Sequence, residues 1–347
     1  MKTVQLRDGS RITSDGVGHS VTFADGKVVQ LDGSLSMALN TGFIDADGAF
    51  FFQRQLEHIK AKSYDVRYAK LRARELFPVS NEGGDGINTI TYRTYDAVGM
   101  AKIISAYADD LPRADVSGKE TTIPVRSVGI SYGYNLDEIK ASQLTGAGLE
   151  QRRANASRKA VEETINKIAF FGDAVSGLGG LFDNPNIPTG PVINPGSGTE
   201  WINKTPDQIL FDINDLFTDI FETTNMEEQG NTLLIPPAQW SYIMTTPRSA
   251  NSDTTIAQYV TANSPFLSGL ESLIALNECS KAHRPGATED IMVAYDRSPE
   301  KLELEIPVEL EYLPVQQKNF EFIIPGRARV AGLNIYYPLS LAMATGI

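Results

Sequence analysis

Apolar residues recur at helical spacing in two long stretches of the chain and alternate with charged residues in a third. Residues 149–171 carry a spaced apolar stripe, which predicts a helix of about six turns. A second helix is predicted from Thr205, because Thr205 and Gln208 form a capping box ahead of a strong aliphatic and aromatic stripe. Residues 301–312 alternate strictly, which predicts a half-buried strand broken at Pro307. These patterns together predict an α+β fold.

Shorter segments of both kinds follow residue 205. Runs rich in branched apolar residues predict strands at "NTLLIPP", "SLIAL" and "DIMVAYD", and helical spacing predicts helices at "PAQWSYIMTT" and "TTIAQYVTANS". After residue 296 the pattern is β, with further strands at "NFEFIIP" and "RVAGLNIYYPLSL". We therefore expect residues 205–295 to form an inserted α/β unit, and residues 296–347 to return to the preceding domain.

Residues 86–134 contain two predicted strands without a core of their own. "INTITYRTYDAVG" and "TTIPVRSVGISYGY" are strand-like, and the segment between them has a polar, turn-rich second half with Pro112 and Gly118. A two-stranded ribbon is marginally stable in water by itself. This excursion is therefore expected to lie on another surface.

The first 45 residues are rich in glycine, aspartate and serine. "VTFADGKVVQL" predicts a hairpin with its turn at Asp25-Gly26. The rest predicts an extended arm that is either disordered or ordered by a neighbour. A helix is predicted to follow from Asp47.

The composition is acidic and contains one cysteine. The 347 residues are 41% hydrophobic, enough for a large core, and carry a net charge of −12. This charge argues against generic binding to nucleic acid or anionic membranes, and no apolar run reaches the roughly 20 residues of a membrane span. Cys279 cannot form an internal disulfide, and we expect a buried small apolar residue rather than a catalytic thiol.

One segment is basic in spite of the overall acidity. Seven basic residues lie between positions 54 and 74, against only Glu57 and Asp65. Two interpretations stay open: a solvated face paired with acidic surface elsewhere, or contact with nucleic acid or an acidic neighbouring subunit. The candidate assembly or DNA-facing residues are Lys60, Lys62, Arg67, Lys70 and Arg72.

Two motifs are candidate sites of chemistry. The glycines of residues 177–180 follow a helix, whereas a dinucleotide-binding loop precedes one, so they predict a chain reversal. Residues 129–133 match G-x-S-x-G, with His283 downstream as in serine hydrolases, but the next helix signal is at Asn135 and not at the serine. Ser131 is therefore a remote candidate nucleophile.

The histidines and glutamates form no recognised metal pattern. The three histidines, at positions 19, 58 and 283, lack the spacing of metal ligands. Four glutamates between positions 303 and 311 form an acidic ladder that offers oxygen ligands to a hard cation, although a solvated or intersubunit strand face is the favoured interpretation. We expect no catalytic residue, metal or cofactor.

Four long segments resemble a known family. They are "YDAVGMAKIISAYADDLPRADVSGKE", "VGISYGYNLDEIKASQ", "RRANASRKAVEETINKIAFFGDAVSGLGGLFDNPNI" and "GRARVAGLNIYYPLSLAMATGI". With the order of the predicted elements, they resemble the major capsid protein of tailed bacteriophages, whose Hong Kong 97-type fold is shared with encapsulin shells. The resemblance covers about residues 45–347.

The resemblance implies a division into arm, loop and two domains. The implied ranges are 1–45 for the N-terminal arm, 46–85 for the first part of the peripheral domain, 86–134 for an extended loop across a neighbouring subunit, 135–204 for the peripheral domain with its spine helix, 205–295 for the axial domain, and 296–347 for returning peripheral strands. Phe170, Phe171 and Leu181 are implied to anchor the end of the spine helix.

The implied function is self-assembly into the icosahedral head shell around a double-stranded DNA genome. The implied partners are further copies in hexamers and pentamers, a portal, scaffold or decoration proteins, and the packaged DNA, and the implied location is the virion after assembly in the host bacterial cytoplasm. Some relatives cross-link subunits through a lysine and an asparagine, and Lys119 is the donor candidate here. The alternatives are an encapsulin-like nanocompartment shell, a tail component and, remotely, a serine hydrolase through Ser131.

Overall fold

The computed structural model describes residues 2–5, 11–14, 19–22, 28–31, 70–99, 113–145, 149–196, 198–249 and 251–347. Within these ranges the chain forms six α-helices and eighteen β-strands. The helices are α1 (Ala73–Leu76), α2 (Leu136–Thr145), α3 (Leu149–Phe171), α4 (Pro206–Thr223), α5 (Pro237–Thr245) and α6 (Ile256–Asn263).

The chain divides into two compact units. One unit consists of residues 1–69, 131–157 and 314–325, and the other of residues 70–130, 158–313 and 326–347.

The first unit contains a four-stranded antiparallel sheet in sequence order. Its strands are β1 (Lys2–Gln5), β2 (Arg11–Ser14), β3 (His19–Thr22) and β4 (Val28–Leu31). The hairpin predicted around Asp25-Gly26 is confirmed as β3 and β4. The pairing of Thr22 with Val28 makes the connection five residues long, however, and not a two-residue turn. The β1–β2 hairpin was not predicted, because each strand carries a single large aliphatic residue. The helix predicted from Asp47 lies outside the described residues.

The start of α2 is fixed by local polar contacts within the same unit. The helix begins directly after Asn135, as predicted, and the Asn135 backbone N–H donates to Glu138 Oε2 at 3.2 Å. Arg153 on α3 donates to both carboxylate oxygens of Glu138, at 2.9 and 2.8 Å. This ion pair lowers the pKa of Glu138, chiefly through the hydrogen bonds from Arg153.

The second unit is built around a five-stranded mixed sheet with the order β11-β10-β12-β18-β9. Its strands are β9 (Thr189–Pro191), β10 (Thr232–Ile235), β11 (Leu273–Ala275), β12 (Ile291–Tyr295) and β18 (Leu341–Thr345). β10, β11 and β12 confirm the strands predicted between 205 and 295. The strand predicted at "RVAGLNIYYPLSL" corresponds to β17, whereas β18, which pairs with β12 in the same sheet as those strands, was not predicted.

This sheet separates two hydrophobic cores. Val293 and Tyr295 of β12 face the core that contains the C-terminal half of α3. Met292 and Ala294 face the core that contains the apolar stripe of α4. Both faces of the central strands are therefore buried, which explains their continuous apolar sequences.

Helix α4 begins as its sequence predicts. Thr205 accepts a hydrogen bond from the Gln208 backbone at 3.4 Å, and the Gln208 side chain accepts one from the Thr205 backbone at 2.9 Å. Thr255 and Gln258 form a second capping box at the start of α6. These reciprocal bonds satisfy backbone donors that a helix start otherwise leaves free.

The end of α3 confirms that the glycine-rich segment reverses the chain. The backbone N–H groups of Leu181 and Phe182 donate to carbonyls in the last turn of α3, at 2.9 and 2.8 Å. Phe170 and Leu181 are fully buried, as expected, whereas Phe171 is half-buried at the edge of the core. Gly172 has φ +65°, a left-handed conformation that favours glycine.

Two further sheets are smaller than the five-stranded sheet. β5 (Val79–Ser80), β13 (Leu302–Glu305) and β17 (Gly332–Ile335) form one, and β14 (Val308–Tyr312), β15 (Gln316–Lys318) and β16 (Glu321–Val330) form the other, with β8 (Arg126–Asn135) paired to β16. The break predicted at Pro307 is confirmed by the separation of β13 from β14. Glu305 was expected on a solvent-facing side but is only 2% exposed.

In its described residues, 86–99 and 113–135, the excursion forms three strands where two were predicted. β6 (Thr89–Val98) is followed by β7 (Asp115–Pro124), and β8 begins after Val125. The prediction of a turn-rich segment was wrong for residues 115–120, because these polar residues pair with β6 in spite of Gly118.

Candidate functional site

β6 and β7 form a long antiparallel ribbon with little packing along its outer part. All ten residues of β6 pair with β7, from Thr89 opposite Pro124 to Val98 opposite Asp115. Residues 93–97 and 115–120 are exposed on both sides. At about 3.3 Å per residue, the ribbon extends roughly 30 Å. Such a strand pair has no core of its own, so its outer part is suited to contact with another molecule.

The two sides of the ribbon differ in chemistry. Directly opposed residues of an antiparallel pair point to the same side. The outer end of one side is apolar, with Tyr95 and Val116 exposed by 68% and 61%, and with Gly118 against the Tyr95 ring. The same part of the other side is polar and carries Thr94, Asp96, Ser117 and Lys119. The apolar side is therefore the stronger candidate for a docking face.

An aromatic contact holds the inner part of the ribbon. The rings of Tyr92 and Tyr336 meet edge-on, with centroids 5.0 Å apart. The Tyr336 hydroxyl lies 3.1 Å from Glu303 Oε2 and 3.4 Å from Glu305 Oε1, and donates to these carboxylates. Tyr336 therefore links the ribbon to a pair of glutamates on β13.

The Tyr336 cluster is buried enough to change its protonation equilibria. Burial is the main cause that raises the pKa of Glu305, and the negative charges of Glu303 and Glu82 raise it further, while hydrogen bonds from Ser80 and Tyr336 act in the opposite direction. Burial also raises the pKa of Tyr336. Glu305 Oε2 and Asn334 Nδ2 are buried and have no hydrogen-bond partner within the described ranges. Part of the hydrogen-bonding capacity of the cluster is therefore unused.

Two arginines on β16 hold the chain where the ribbon begins. Arg327 contacts Asp85 Oδ1 at 2.7 Å and Glu311 Oε1 at 2.8 Å. Arg329, two residues further along β16, donates to the backbone carbonyls of Asp85 and Ile87. We call residues 85–88 together with Val125 the ribbon root.

The structure describes two of the five predicted basic site residues. Lys60, Lys62 and Arg67 lie outside the described residues. Lys70 is exposed, whereas Arg72 is half-buried and donates from Nη1 to the Ala275 carbonyl at 2.7 Å. Lys70 and Arg72 line a cavity of about 240 Å³ together with Glu278. A role for these residues in assembly or DNA contact stays a prediction.

The hydrolase alternative lacks the backbone that it requires. Ser131 is an exposed residue in the middle of β8, five positions before α2 begins. A nucleophile elbow needs a sharp strand-to-helix turn at the serine. Residues 129–133 are therefore a strand sequence and not an elbow.

The other chemical candidates have structural roles. Cys279 is fully buried, and burial raises the pKa of its thiol, as expected of a small core residue. The glutamate ladder is engaged in part: Glu309 pairs with Arg74 at 2.6 Å, and Glu311 pairs with Arg327. Among the described residues, no group of three or more histidine, cysteine, aspartate or glutamate side chains could hold a metal.

Lys119, the implied cross-link donor, lies inside β7 opposite Thr94 and is exposed. Its role as a donor stays a prediction.

Sequence reasoning missed the residues that hold the ribbon root. Arg327 and Arg329 are two positions apart in "GRARV", a spacing that places both side chains on one side of a strand. That spacing was the available signal. Tyr336 and Glu305 gave no comparable signal, because their contacts arise from the pairing of β13 with β17.

Comparisons with solved structures show capsid folds. A chain from the capsid of Myoviridae phage XM1 is 19% identical, with a TM-score of 0.72 over 85% of this chain and 98% of that one. A chain from Mycobacterium phage Ogopogo is 14% identical, with a TM-score of 0.57 over 87% and 99%. A chain from the capsid of a native GTA particle is 10% identical, with a TM-score of 0.58 over 88% and 99%. These similarities confirm the predicted Hong Kong 97-type fold.

No helix in the described part of the chain is long and apolar enough to cross a membrane.

Two sequence comparisons were informative to different degrees. The chain has no significant match among curated protein sequences. The family model for the major capsid protein matches residues 99–347, well over half of the sequence, and the chain therefore belongs to the major capsid protein family.

Proposed function

We propose that this chain is the wall subunit of the icosahedral head shell of a tailed, double-stranded DNA bacteriophage. The observation that carries the proposal is the family match, taken with a ribbon whose outer part is exposed on both sides. A strand pair of this length without a core gains stability when another copy covers it. Repetition of one such contact by symmetry builds a closed shell.

The proposal assigns the apolar side of the ribbon to the neighbouring copy. Tyr95 and Val116 supply the apolar contact, and the cross-strand pair Arg93–Glu120, at 2.7 Å, supplies a polar rim. The domain ranges predicted from the sequence remain part of the proposal, with residues 86–134 as the loop between subunits and residues 205–295 as the axial domain around the five-fold and six-fold positions.

The further partners follow from the same proposal. A portal occupies one vertex, and scaffold or decoration proteins bind the shell during or after assembly. Packaged DNA contacts the wall weakly, because an acidic chain with a net charge of −12 repels phosphate except at basic patches. The subunit assembles in the host bacterial cytoplasm and resides in the virion.

Expression of the chain by itself tests the proposal. Negative-stain electron microscopy of the purified protein is expected to show closed shells or capsomers. A compact monomer that persists at high concentration would contradict the proposal. Particles that contain a cargo enzyme in the native host, with no portal, would instead identify a nanocompartment shell.

A further inference from the structure

The ribbon root is held by one buried guanidinium. Arg329 is only 6% exposed. Its Nη1 donates to the Asp85 carbonyl, and its Nη2 donates to the Ile87 carbonyl and, at 3.1 Å, to Asn88 Oδ1. Three acceptors on the segment that precedes β6 therefore converge on one planar group.

The same segment is closed from the other strand. The Val125 backbone N–H donates to the Asn88 carbonyl at 2.8 Å, which extends the β6–β7 ladder by one pair, and Val125 is buried. Asn88 thus joins the return strand through its backbone and Arg329 through its side chain. This arrangement connects the orientation of the ribbon to the orientation of the guanidinium.

The charges around Arg329 balance. Arg327 and Arg329 face Asp85 and Glu311, with Arg327 within 2.8 Å of both carboxylates and Arg329 3.9 Å from Asp85 Oδ1. A buried cation is tolerable only when it is paired and hydrogen-bonded, and Arg329 meets both conditions. A guanidinium also fixes the plane in which its acceptors lie, whereas an ammonium group does not.

The length of the ribbon amplifies any change at its root. Over the ten residues of β6, at about 3.3 Å each, a tilt of about 10° displaces the outer end by roughly 6 Å. This displacement exceeds the spacing of adjacent residues on a partner strand. Beyond Tyr92 and its contact with Tyr336, residues 93–97 have no burial that would correct such a tilt.

We propose that Arg329 is the positioning residue of the ribbon: its three-acceptor clamp on residues 85–88 fixes where the ribbon meets the neighbouring copy, and so the curvature of the shell. This inference rests on the proposed function, because it requires that the ribbon contacts a second copy. Arg329 acts through the ribbon and does not itself touch the partner.

Arg329→Lys in the full chain tests the role, because it keeps the charge and removes the planar fork. Hydrogen exchange is expected to accelerate about tenfold at amides 89–92, as for the loss of a charge-assisted hydrogen bond. Cryo-electron microscopy is expected to show a broadened diameter distribution with open or mis-sized shells.

Arg74→Lys is the matched control. Arg74 also spans two carboxylates, Glu162 and Glu309, within the same unit, and in the described part of the chain its side-chain hydrogen bonds do not reach the ribbon root. The Arg74→Lys variant should lower the melting temperature of the subunit about as much as Arg329→Lys does. It should leave hydrogen exchange at the ribbon root and the particle diameter unchanged. Equal broadening in both variants, or wild-type exchange and diameter in Arg329→Lys, would overturn the inference.

Asn88→Ala serves if Arg329→Lys does not fold. It removes one acceptor and leaves every buried charge in place, and it should produce a smaller change in the same direction. Wild-type exchange and diameters in this variant would also overturn the inference. Wild-type protein that forms neither shells nor capsomers would contradict the proposed function instead, while the exchange measurement would still decide the role of Arg329.

Discussion

Tyr92 of the ribbon and Tyr336 after β17 meet edge-on, with ring planes at 86° and centroids 5.0 Å apart. This geometry is favourable for two aromatic rings. Tyr336 in turn hydrogen-bonds two carboxylates on β13, one of which is buried. The inner part of the ribbon therefore lies against a cluster whose charge depends on pH.

Glu305 should make stability fall as pH rises. Its folded-state pKa is raised above the unfolded value, so protonation favours the folded state. The contribution is fully present below the unfolded pKa of about 4.3 and is lost as pH rises through the folded pKa. Glu305→Gln should remove this loss, which amounts to about 1.4 kcal/mol for every unit of pKa elevation.

Urea denaturation of Glu305→Gln and wild type across pH checks this prediction. Glu305 is protonated in both states at the acidic end, so the difference in free energy of unfolding should be smallest there and should grow in favour of the variant toward neutral pH. A difference that does not change with pH would show that the folded-state pKa of Glu305 is not raised, and a difference that shifts toward wild type as pH rises would show that Glu305 is stabilised as a carboxylate.

The apolar side of the ribbon should be required for assembly and not for folding. Tyr95→Ser changes an exposed side chain, so the free energy of unfolding of the subunit should change by no more than about 0.5 kcal/mol. The yield of closed shells should fall at least about tenfold, because a buried aromatic anchor contributes upward of 1.4 kcal/mol to an interface.

Asp96→Ser is the control for Tyr95→Ser. It changes an exposed residue next to Tyr95 on the polar side of the ribbon. Sedimentation should show shells in this variant at wild-type yield. Equal losses in both variants would mean that assembly does not distinguish the two sides.

Charge reversal in the basic block should disturb packaging or assembly. Lys60→Glu, Lys62→Glu and Lys70→Glu together remove three positive charges and add three negative ones, which opposes contact with phosphate. The yield of DNA-filled particles should fall, measured by density-gradient separation of full and empty shells. DNA-filled particles at wild-type yield from this triple variant would exclude the basic block as a DNA-contact site.

The fold was predictable from sequence where local signals were sufficient. The bounds of α3 and the capping box at Thr205 follow from helical spacing and from two side chains three residues apart. Partner strands were not predictable, because alternation reports which side of a strand is buried and not which strand lies beside it. β17 shows this limit: a strand was predicted at "RVAGLNIYYPLSL", but its pairing with β13 was not.

The contacts at the ribbon root could not be predicted from local sequence patterns, because their partners are far apart in the chain. Arg329 and its acceptors at residues 85–88 are more than 240 positions apart in sequence. By alternation alone, Glu305 is expected to face solvent. Its burial was not predictable, because the side chains that enclose it are Ser80 on β5 and Tyr336 just after β17. Long-range contacts of this kind leave no periodic trace in the sequence.

Gly180 should not tolerate a side chain. A Cβ there would lie 2.1 Å from the Gly172 nitrogen and 2.7 Å from the Phe171 carbonyl carbon, both backbone atoms that cannot move independently. Gly180→Ala should therefore lower the free energy of unfolding by about 2–3 kcal/mol, as overpacking does. Gly190→Ala, where no atom lies within 4 Å of the added carbon, should cost no more than about 0.5 kcal/mol in the same denaturation assay.

Lys204 and Asp212 should stabilise the fold only as a pair, so that removal of one charge lowers the free energy of unfolding more than removal of both. Their side chains are 0% and 2% exposed and lie 2.7 Å apart, and Trp201 Nε1 donates to the same carboxylate oxygen at 3.0 Å. Burial raises the pKa of Asp212 against the opposing effect of Lys204. Lys204→Met should therefore cost about 3–5 kcal/mol in free energy of unfolding, because it leaves a buried carboxylate without its cation.

The double variant Lys204→Met with Asp212→Leu separates pairing from packing. Removal of both charges also removes the unpaired carboxylate, so most of the lost stability should return, although Trp201 then lacks its acceptor. A double-mutant cycle in urea should give a coupling free energy of about 2 kcal/mol or more. If the double variant were as unstable as the sum of its single variants, the two residues would contribute through packing against the α4 core and not through their charges.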